Sequence, residues 1–187
     1  MTSKKKSNIV IGILSVLTAA ALIILAVNLY SNYTHPIKYS DTVNALAAEH
    51  GVDNLLIYAV IKTESGFNPD AESGAGARGL MQIMPETFEW IRWRWFPDDD
   101  LDFDDMFEPE INIRYGVRLI SYHMENYNNN VENSLAAYHA GDGAVNEWLN
   151  DKRYSQNGRV LDEIPIPETA HYVNKVNKAH KVYTKKG

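Results

Sequence analysis

Apolar positions follow three patterns along this chain. The first is a solid block. From Ile9 to Leu29 the sequence reads IVIGILSVLTAAALIILAVNL, 21 residues without a charge. At about 1.5 Å rise per residue, such a run crosses a ~30 Å hydrocarbon layer as one helix. The second pattern is a stripe of helical period. It predicts a helix over 53–65 with Leu56, Ala59, Val60 and Thr63 on the core face. It predicts a long one from Pro109 to about Tyr127, with Ile113, Val117, Ile120 and Met124 inward. A last helix over 167–183 aligns Tyr172, Val173, Val176, His180 and Tyr183. Shorter helices are expected at 41–50, capped by Asp41 and stopped by Gly51, and at 85–95, opened by Pro85. Two more are expected at 131–139 and 143–149.

The third pattern is interruption. Asn68-Pro69 and Gly74, Gly76 and Gly79 break regular structure, the acidic stretch 97–108 reads as a loop, and Asn128–Asn130 reads as a turn. Strand-like alternation never exceeds four or five residues. The fold class expected is therefore mainly α, with a small β-hairpin near 72–84. The expected organisation is a basic tail at 1–8, a transmembrane anchor at 9–30, a linker at 31–40 and a single globular domain at 41–187. About 150 residues suit one core.

Charge orients the anchor. Lys4, Lys5 and Lys6 precede the apolar block and no acid does. Positive flanks stay in the cytoplasm, so the globular part is expected outside it. A cleaved leader is the competing reading. The apolar run is longer than the usual ~7–15 residues of a leader, and Asn28-Leu29-Tyr30 offers no small-residue cleavage site. Beyond residue 30, 15 basic residues stand against 24 acidic ones, a net charge of −9. Such a surface does not attract nucleic acid or anionic lipid. With no Cys there is no disulfide, thiolate nucleophile or lipid-modified cysteine. The six His form no HExxH and no compact pair, so neither a metal nor a cofactor is expected. The run PDDDLDFDD lacks the Gly and Glu that a calcium loop needs at its sixth and twelfth positions. Four Trp and eleven Tyr supply flat faces for cores or for sugar rings. For the cluster Trp90, Trp93 and Trp95, packing and exposed stacking are equally open.

The chemistry centres on Glu64, at the predicted C-terminal end of an apolar helix and just before Ser65-Gly66. Burial and the negative end of a helix dipole both hold a carboxyl protonated, as a general acid at a glycosidic oxygen requires. Taken by itself, Glu64 reads as a solvated helix-end residue, since Glu is abundant and usually exposed. Likewise Gln82 reads as a surface residue, Met81 and Met84 as core, and Tyr138 and Tyr172 as core aromatics.

Five motifs in order change that reading. They are Glu64-Ser65-Gly66-Phe67-Asn68-Pro69, Gly79-Leu80-Met81-Gln82-Ile83-Met84-Pro85, and Pro109-Glu110-Ile111-Asn112-Ile113 with Gly116. Ala137-Tyr138-His139-Ala140-Gly141 follows, then Ile164-Pro165 through Glu168-Thr169-Ala170-His171-Tyr172-Val173. Together they resemble the soluble lytic transglycosylase family of the goose-type lysozyme superfamily, over about residues 40–183. The resemblance implies a lysozyme-like domain that cleaves the glycan strands of peptidoglycan, with Glu64 as catalytic acid and base. It implies Ser65, Met81, Gln82, Met84, Tyr138, His139 and Tyr172 as substrate-binding residues. His139 departs from the pattern, because the family usually carries Asn there. An imidazole is larger than an amide and can titrate. The partners implied are peptidoglycan strands, the cytoplasmic membrane through 9–30, and an envelope-spanning assembly for a small anchored protein. A hydrolytic muramidase and a catalytically silent glycan-binding module remain the alternatives. The hydrolase would draw a second carboxylate from 97–110.

Overall fold

A computed structural model describes residues 3–186 of the chain and the side chains from Ile11 to Lys186. Met1, Thr2 and Gly187, at the ends of the expected basic tail and globular domain, lie outside the described residues. The chain divides into two units, one ending at Ile37 and one beginning at Lys38. The first unit is helix α1, Ser3–Thr34. Its stretch Ile11–Thr34 has a mean hydropathy of 2.4, is unburied, and is long and apolar enough to cross a membrane. The helix runs through residues expected as tail and as linker, so only the few positions after Thr34 are irregular. The interruption comes at Pro36, which cannot continue the hydrogen-bond ladder.

The second unit is built around α3, Asn54–Glu64. Six consecutive residues, Leu56 to Ile61, are buried. A helix buried on every side is a central one, so the predicted single stripe was too narrow, and Thr63 is only partly covered. Asp53 caps α3 by accepting the Leu55 N–H at 2.9 Å. The same side chain meets His180 Nε2 at 2.6 Å, which is why His180 sits at the edge of the core while Ala179 takes the buried position. His180 belongs to α8, Pro167–Thr184, the principal neighbour of α3. The Tyr58 and Tyr183 rings lie 5.7 Å apart between them.

Around this pair stand α2 (Ser40–Glu49), α4 (Pro85–Trp95), α5 (Pro109–Asn126), α6 (Val131–Ala140) and α7 (Asp142–Asn150). Pro opens α4, α5 and α8, where its missing N–H leaves no gap in the ladder. Asp41, expected as a cap, lies inside the first turn of α2; the chain enters through Tyr39 in the left-handed region, with φ 57°. Asp41 still favours the helix there by facing its positive end. On α5 the predicted Ile113, Val117 and Ile120 are buried, and Met124 is half-covered.

The expected hairpin is not a ladder. Two isolated bridges, Glu72 with Arg78 and Arg78 with Ile83, are the extended pairing there, and no strand is formed among the described residues. Gly79 (φ 76°) and Gln82 (φ 49°) are left-handed and curl the chain away from extension. The acidic loop contains a short 3-10 helix, Phe103–Phe107, closed by a reciprocal cap between Asp102 and Asp105.

Gly79 is the tight point. A Cβ there would collide with the Met106 carbonyl and the Asn112 side chain, whereas at Gly74 it would meet open space. Gly79→Ala is expected to lower unfolding free energy by about 2–4 kcal/mol, combining overpacking with left-handed strain. Gly74→Ala should change it by no more than about 0.5 kcal/mol. Urea denaturation of the two variants checks the contrast; equal effects would refute it.

Candidate active site

Glu64 ends α3, and the turn behind it is set by its own sequence. Gly66 and Phe67 both adopt left-handed conformations, φ 61° and 68°. Ser65 holds this turn. Its hydroxyl donates to the Ile61 carbonyl at 3.3 Å and accepts the Phe67 N–H at 3.1 Å. Phe67 is driven into the core, which makes its strained backbone affordable. Ser65 therefore positions the end of α3.

The Glu64 carboxyl is raised from 4.5 to about 7. Burial is the largest cause; the nearby Tyr172 hydroxyl and the charge of Lys175 pull the other way. The Tyr138 and Tyr172 hydroxyls are pushed well above their ordinary value by burial and then by the charge of Glu64. These two tyrosines thus flank the acid. Tyr138 is fixed, its hydroxyl donating to the Met81 carbonyl at 2.6 Å. The Tyr172 hydroxyl is buried and makes no hydrogen bond among the described residues.

The other predicted side chains divide. Met81 does not form a cleft wall. Its side chain is fully buried against Gly116, where a Cβ would strike its sulfur. Its carbonyl, not its thioether, reaches the site. Gln82 clasps its own loop, Nε2 donating to the Ala71 and Gly79 carbonyls at 3.1 Å each. Met84 does face open space. It lines a cavity of about 340 Å³ with Glu86, Thr87, Trp90, Tyr138, His139 and Asp142. Tyr138 and His139 join this cavity to the surroundings of Glu64, which does not itself line it. His139 places its ring on Tyr172, centroids 4.6 Å apart, and its Nδ1 3.1 Å from Thr169 Oγ1. Burial lowers the His139 pKa, and Glu168 partly offsets this.

Several residues were not singled out from sequence. Asn112 is wholly buried. Its Oδ1 accepts the Met81 N–H at 2.7 Å, and its Nδ2 donates to the Arg78 and Met106 carbonyls at 2.9 and 2.8 Å. A polar residue one turn before Gly116 on the apolar stripe of α5 was the available signal. His123 is buried beside the cavity, its Nδ1 3.1 Å from Asp142, which also accepts from Tyr127 at 3.0 Å. These partners hold the Asp142 carboxyl below its usual range despite burial. The tryptophans separate. Trp90 and Trp95 pack on Tyr122 with Arg118 over Trp95 at 4.1 Å, and Trp93 is 73% exposed.

Half of the acids in 97–110 are engaged. Asp99 pairs with Arg114 and accepts from Tyr115 at 3.0 Å; Asp104 meets Arg78 at 2.6 Å; Asp102 and Asp105 cap the 3-10 helix.

Glu64 carries a pH signature. Its pKa is higher folded than unfolded, so the native state holds the extra proton between about 4.5 and 7. Its contribution is most favourable below the unfolded value and is lost as pH rises through about 7. Glu64→Gln removes this dependence. At about pH 8 the variant is expected to be roughly 1–3 kcal/mol more stable than the parent, with the gap closing below about pH 4.5. Denaturation midpoints across that range check it; parallel profiles would exclude a raised Glu64.

Residues 41–160 match the family described as the transglycosylase SLT domain. Among relatives, the soluble lytic murein transglycosylase of Salmonella typhimurium is 32% identical over 75% of this chain, which spans 22% of that protein. The membrane-bound lytic murein transglycosylase C of Serratia proteamaculans is 31% identical over 80% of this chain and 47% of its own length. An inactive Glu-to-Gln mutant of the lytic transglycosylase Slt from Pseudomonas aeruginosa superposes with a TM-score of 0.71 at 32% identity, covering 81% of this chain and 25% of that one. The 70 kDa soluble lytic transglycosylase in complex with bulgecin A gives 0.73 at 28% identity, over 81% and 25%. With more than half its length matched and its second unit sharing the lysozyme-like fold of these structures, the chain belongs to the transglycosylase SLT domain family.

Proposed function

We propose that this chain is a membrane-anchored lytic transglycosylase that cleaves the β-1,4 bond after N-acetylmuramic acid in peptidoglycan. The observation that carries the reading is Glu64: one enclosed carboxyl with a pKa of about 7, between Tyr138 and Tyr172. Protonated Glu64 gives its proton to the glycosidic oxygen as the C1–O bond breaks, with the acetamido group of the same sugar assisting in place of a protein nucleophile. The carboxylate so formed takes the proton of that sugar's C6 hydroxyl. O6 then bonds to C1, closing a 1,6-anhydro ring, and Glu64 is protonated again. A pKa near the working pH suits a group that must serve as acid and then as base. The internal hydroxyl has a high effective concentration, so it outcompetes bulk water.

The hydrolytic alternative needs a second carboxylate. A two-carboxylate glycosidase places its second acid opposite the first. Four of the eight acids in 97–110, namely Asp99, Asp102, Asp104 and Asp105, are committed to arginines or to capping, which narrows the choice of such a partner. The mutant neighbour whose Glu-to-Gln change is called inactive supports one indispensable glutamate. A silent glycan-binding module has no need of a raised carboxyl. Ser65 and Gln82 serve the site by holding its loops, while Tyr138, His139, Tyr172 and Met84 meet the glycan.

The unburied apolar helix α1 supports anchoring, as does a relative named membrane-bound. With Lys4–Lys6 on its N-terminal side, α1 leaves the N-terminus in the cytoplasm and the catalytic unit facing the wall. An export-dependent reporter fused after Gly187 should be active. Activity of a cytoplasm-only reporter there would reverse the orientation.

Glu64→Gln is expected to lower glycan cleavage by at least ~10²-fold while sugar binding persists. Near-normal turnover would remove Glu64 from the mechanism. The products separate the two enzyme readings. Muropeptides released by transglycosylation should be one water lighter than their hydrolytic counterparts and resist borohydride reduction. Mass spectrometry of digests from purified peptidoglycan reads this directly, and reducible ends would establish a muramidase instead.

A further inference from the structure

Thr169 is 1% exposed, and its hydroxyl carries a proton that needs an acceptor. The protein acceptor in reach is His139 Nδ1, at 3.1 Å. Were Nδ1 itself protonated, the buried hydroxyl proton would point at no protein acceptor, the costlier arrangement. The pair is satisfied when Thr169 donates and Nδ1 accepts. The neutral imidazole then carries its proton on Nε2. His139 is otherwise solvent-facing, lines the cavity beside Tyr138 and Met84, and among the described residues its hydrogen bond is the one through Nδ1. Its ring packs against Tyr172 at a tilt of 32°, which together with the Thr169 contact limits the directions open to Nε2–H. Burial favours the neutral imidazole, against the pull of Glu168.

We infer that Thr169 is a positioning residue that locks His139 in the Nε2–H tautomer, making it a donor-only contact for a carbonyl oxygen of the bound glycan. This rests on the cleft being a glycan site. An amide side chain at this position would offer a donor and an acceptor; the locked imidazole offers a donor alone. The acceptor it fits is an acetamido oxygen, which every N-acetylated sugar of such a strand carries. A sugar hydroxyl could turn to suit either tautomer, whereas a carbonyl is served by the donor only.

The full chain in detergent micelles, labelled with ¹⁵N at histidine, tests the tautomer without any ligand. At about pH 8, where unperturbed histidine is neutral, the His139 signals, identified by their loss in His139→Asn, should show a protonated Nε2 and a bare Nδ1. A protonated Nδ1 overturns the proposal. Thr169→Val keeps the shape and removes the hydroxyl. It should mix the two tautomers and weaken binding of tetra-N-acetylchitotetraose about fivefold, the loss of one hydrogen bond. Thr169→Ser should restore both. If Val leaves tautomer and affinity unchanged, Thr169 is not the lock. If the parent chain binds no chitotetraose while Nε2 is protonated, the glycan reading fails and the tautomer lock stands.

Discussion

One buried amide holds the site together. Asn112 uses its oxygen and both protons of its nitrogen on three backbone groups from two segments, Arg78 and Met81 from the glycine-rich loop and Met106 from the 3-10 helix. The loop has no strand ladder to shape it, so its backbone groups need partners elsewhere. Asn112 supplies them from the rigid α5. The consequence passes on to chemistry. The Met81 N–H is held by Asn112, and the Met81 carbonyl accepts the hydroxyl of Tyr138, which stands beside Glu64. Loop, core helix and the surroundings of Glu64 are linked through one peptide segment. Arg78 reinforces the same loop from outside, ion-paired to Glu72 and Asp104 and lying over the Phe103 and Phe107 rings at 4.6 and 5.0 Å.

Close packing explains two glycines in that region. Gly79 passes directly over Asn112 and Met106, and Gly116 gives its place on α5 to the Met81 sulfur. Any side chain at either point would push the loop off α5. The loop sequence is thus constrained by what lies beneath it more than by its own turn preferences. This also accounts for Gln82 in a left-handed conformation: its side chain bonds to the Ala71 and Gly79 carbonyls repay the local strain.

Helices that bury a stripe were legible because burial imposes a period on the sequence. The bounds of α4, α5, α6 and α8 fall within a residue or two of expectation. Local signals misled where tertiary contacts decide. Asp41 has a capping side chain, but the chain turns into α2 two residues earlier. Six apolar residues of α3 are buried although only part of them forms a stripe, since a central helix has no outer face to mark. The glycine-rich segment suggested a hairpin from its composition. What shapes it is Asn112, more than 30 residues away, so the pattern of the loop itself does not reveal it. For the site, resemblance placed Glu64, Tyr138, Tyr172 and His139 in one neighbourhood. It could not tell a side chain that faces the cleft from one that supports it. Ser65 and Gln82 bond within their own loops and the Met81 side chain is buried, features that only their bonds and burial disclose.

The environment of Glu64 is a balance, and the balance sets what the group can do. Enclosure alone would drive a carboxyl far upward and leave a strong tendency to keep its proton. Such a group donates well but is hard to ionise. Tyr172 and Lys175 draw it back, and the result lies at about 7. Near that value both protonation states are populated at neutral pH, so donation in one half of a reaction and acceptance in the other each start close to equilibrium. Tyr138, by contrast, spends its proton on Met81 and lends Glu64 enclosure without a hydrogen bond. Two tyrosines beside one carboxyl thus act in opposite senses, one by covering it and one by solvating it, and the difference arises from which of them the Asn112-anchored loop has already engaged.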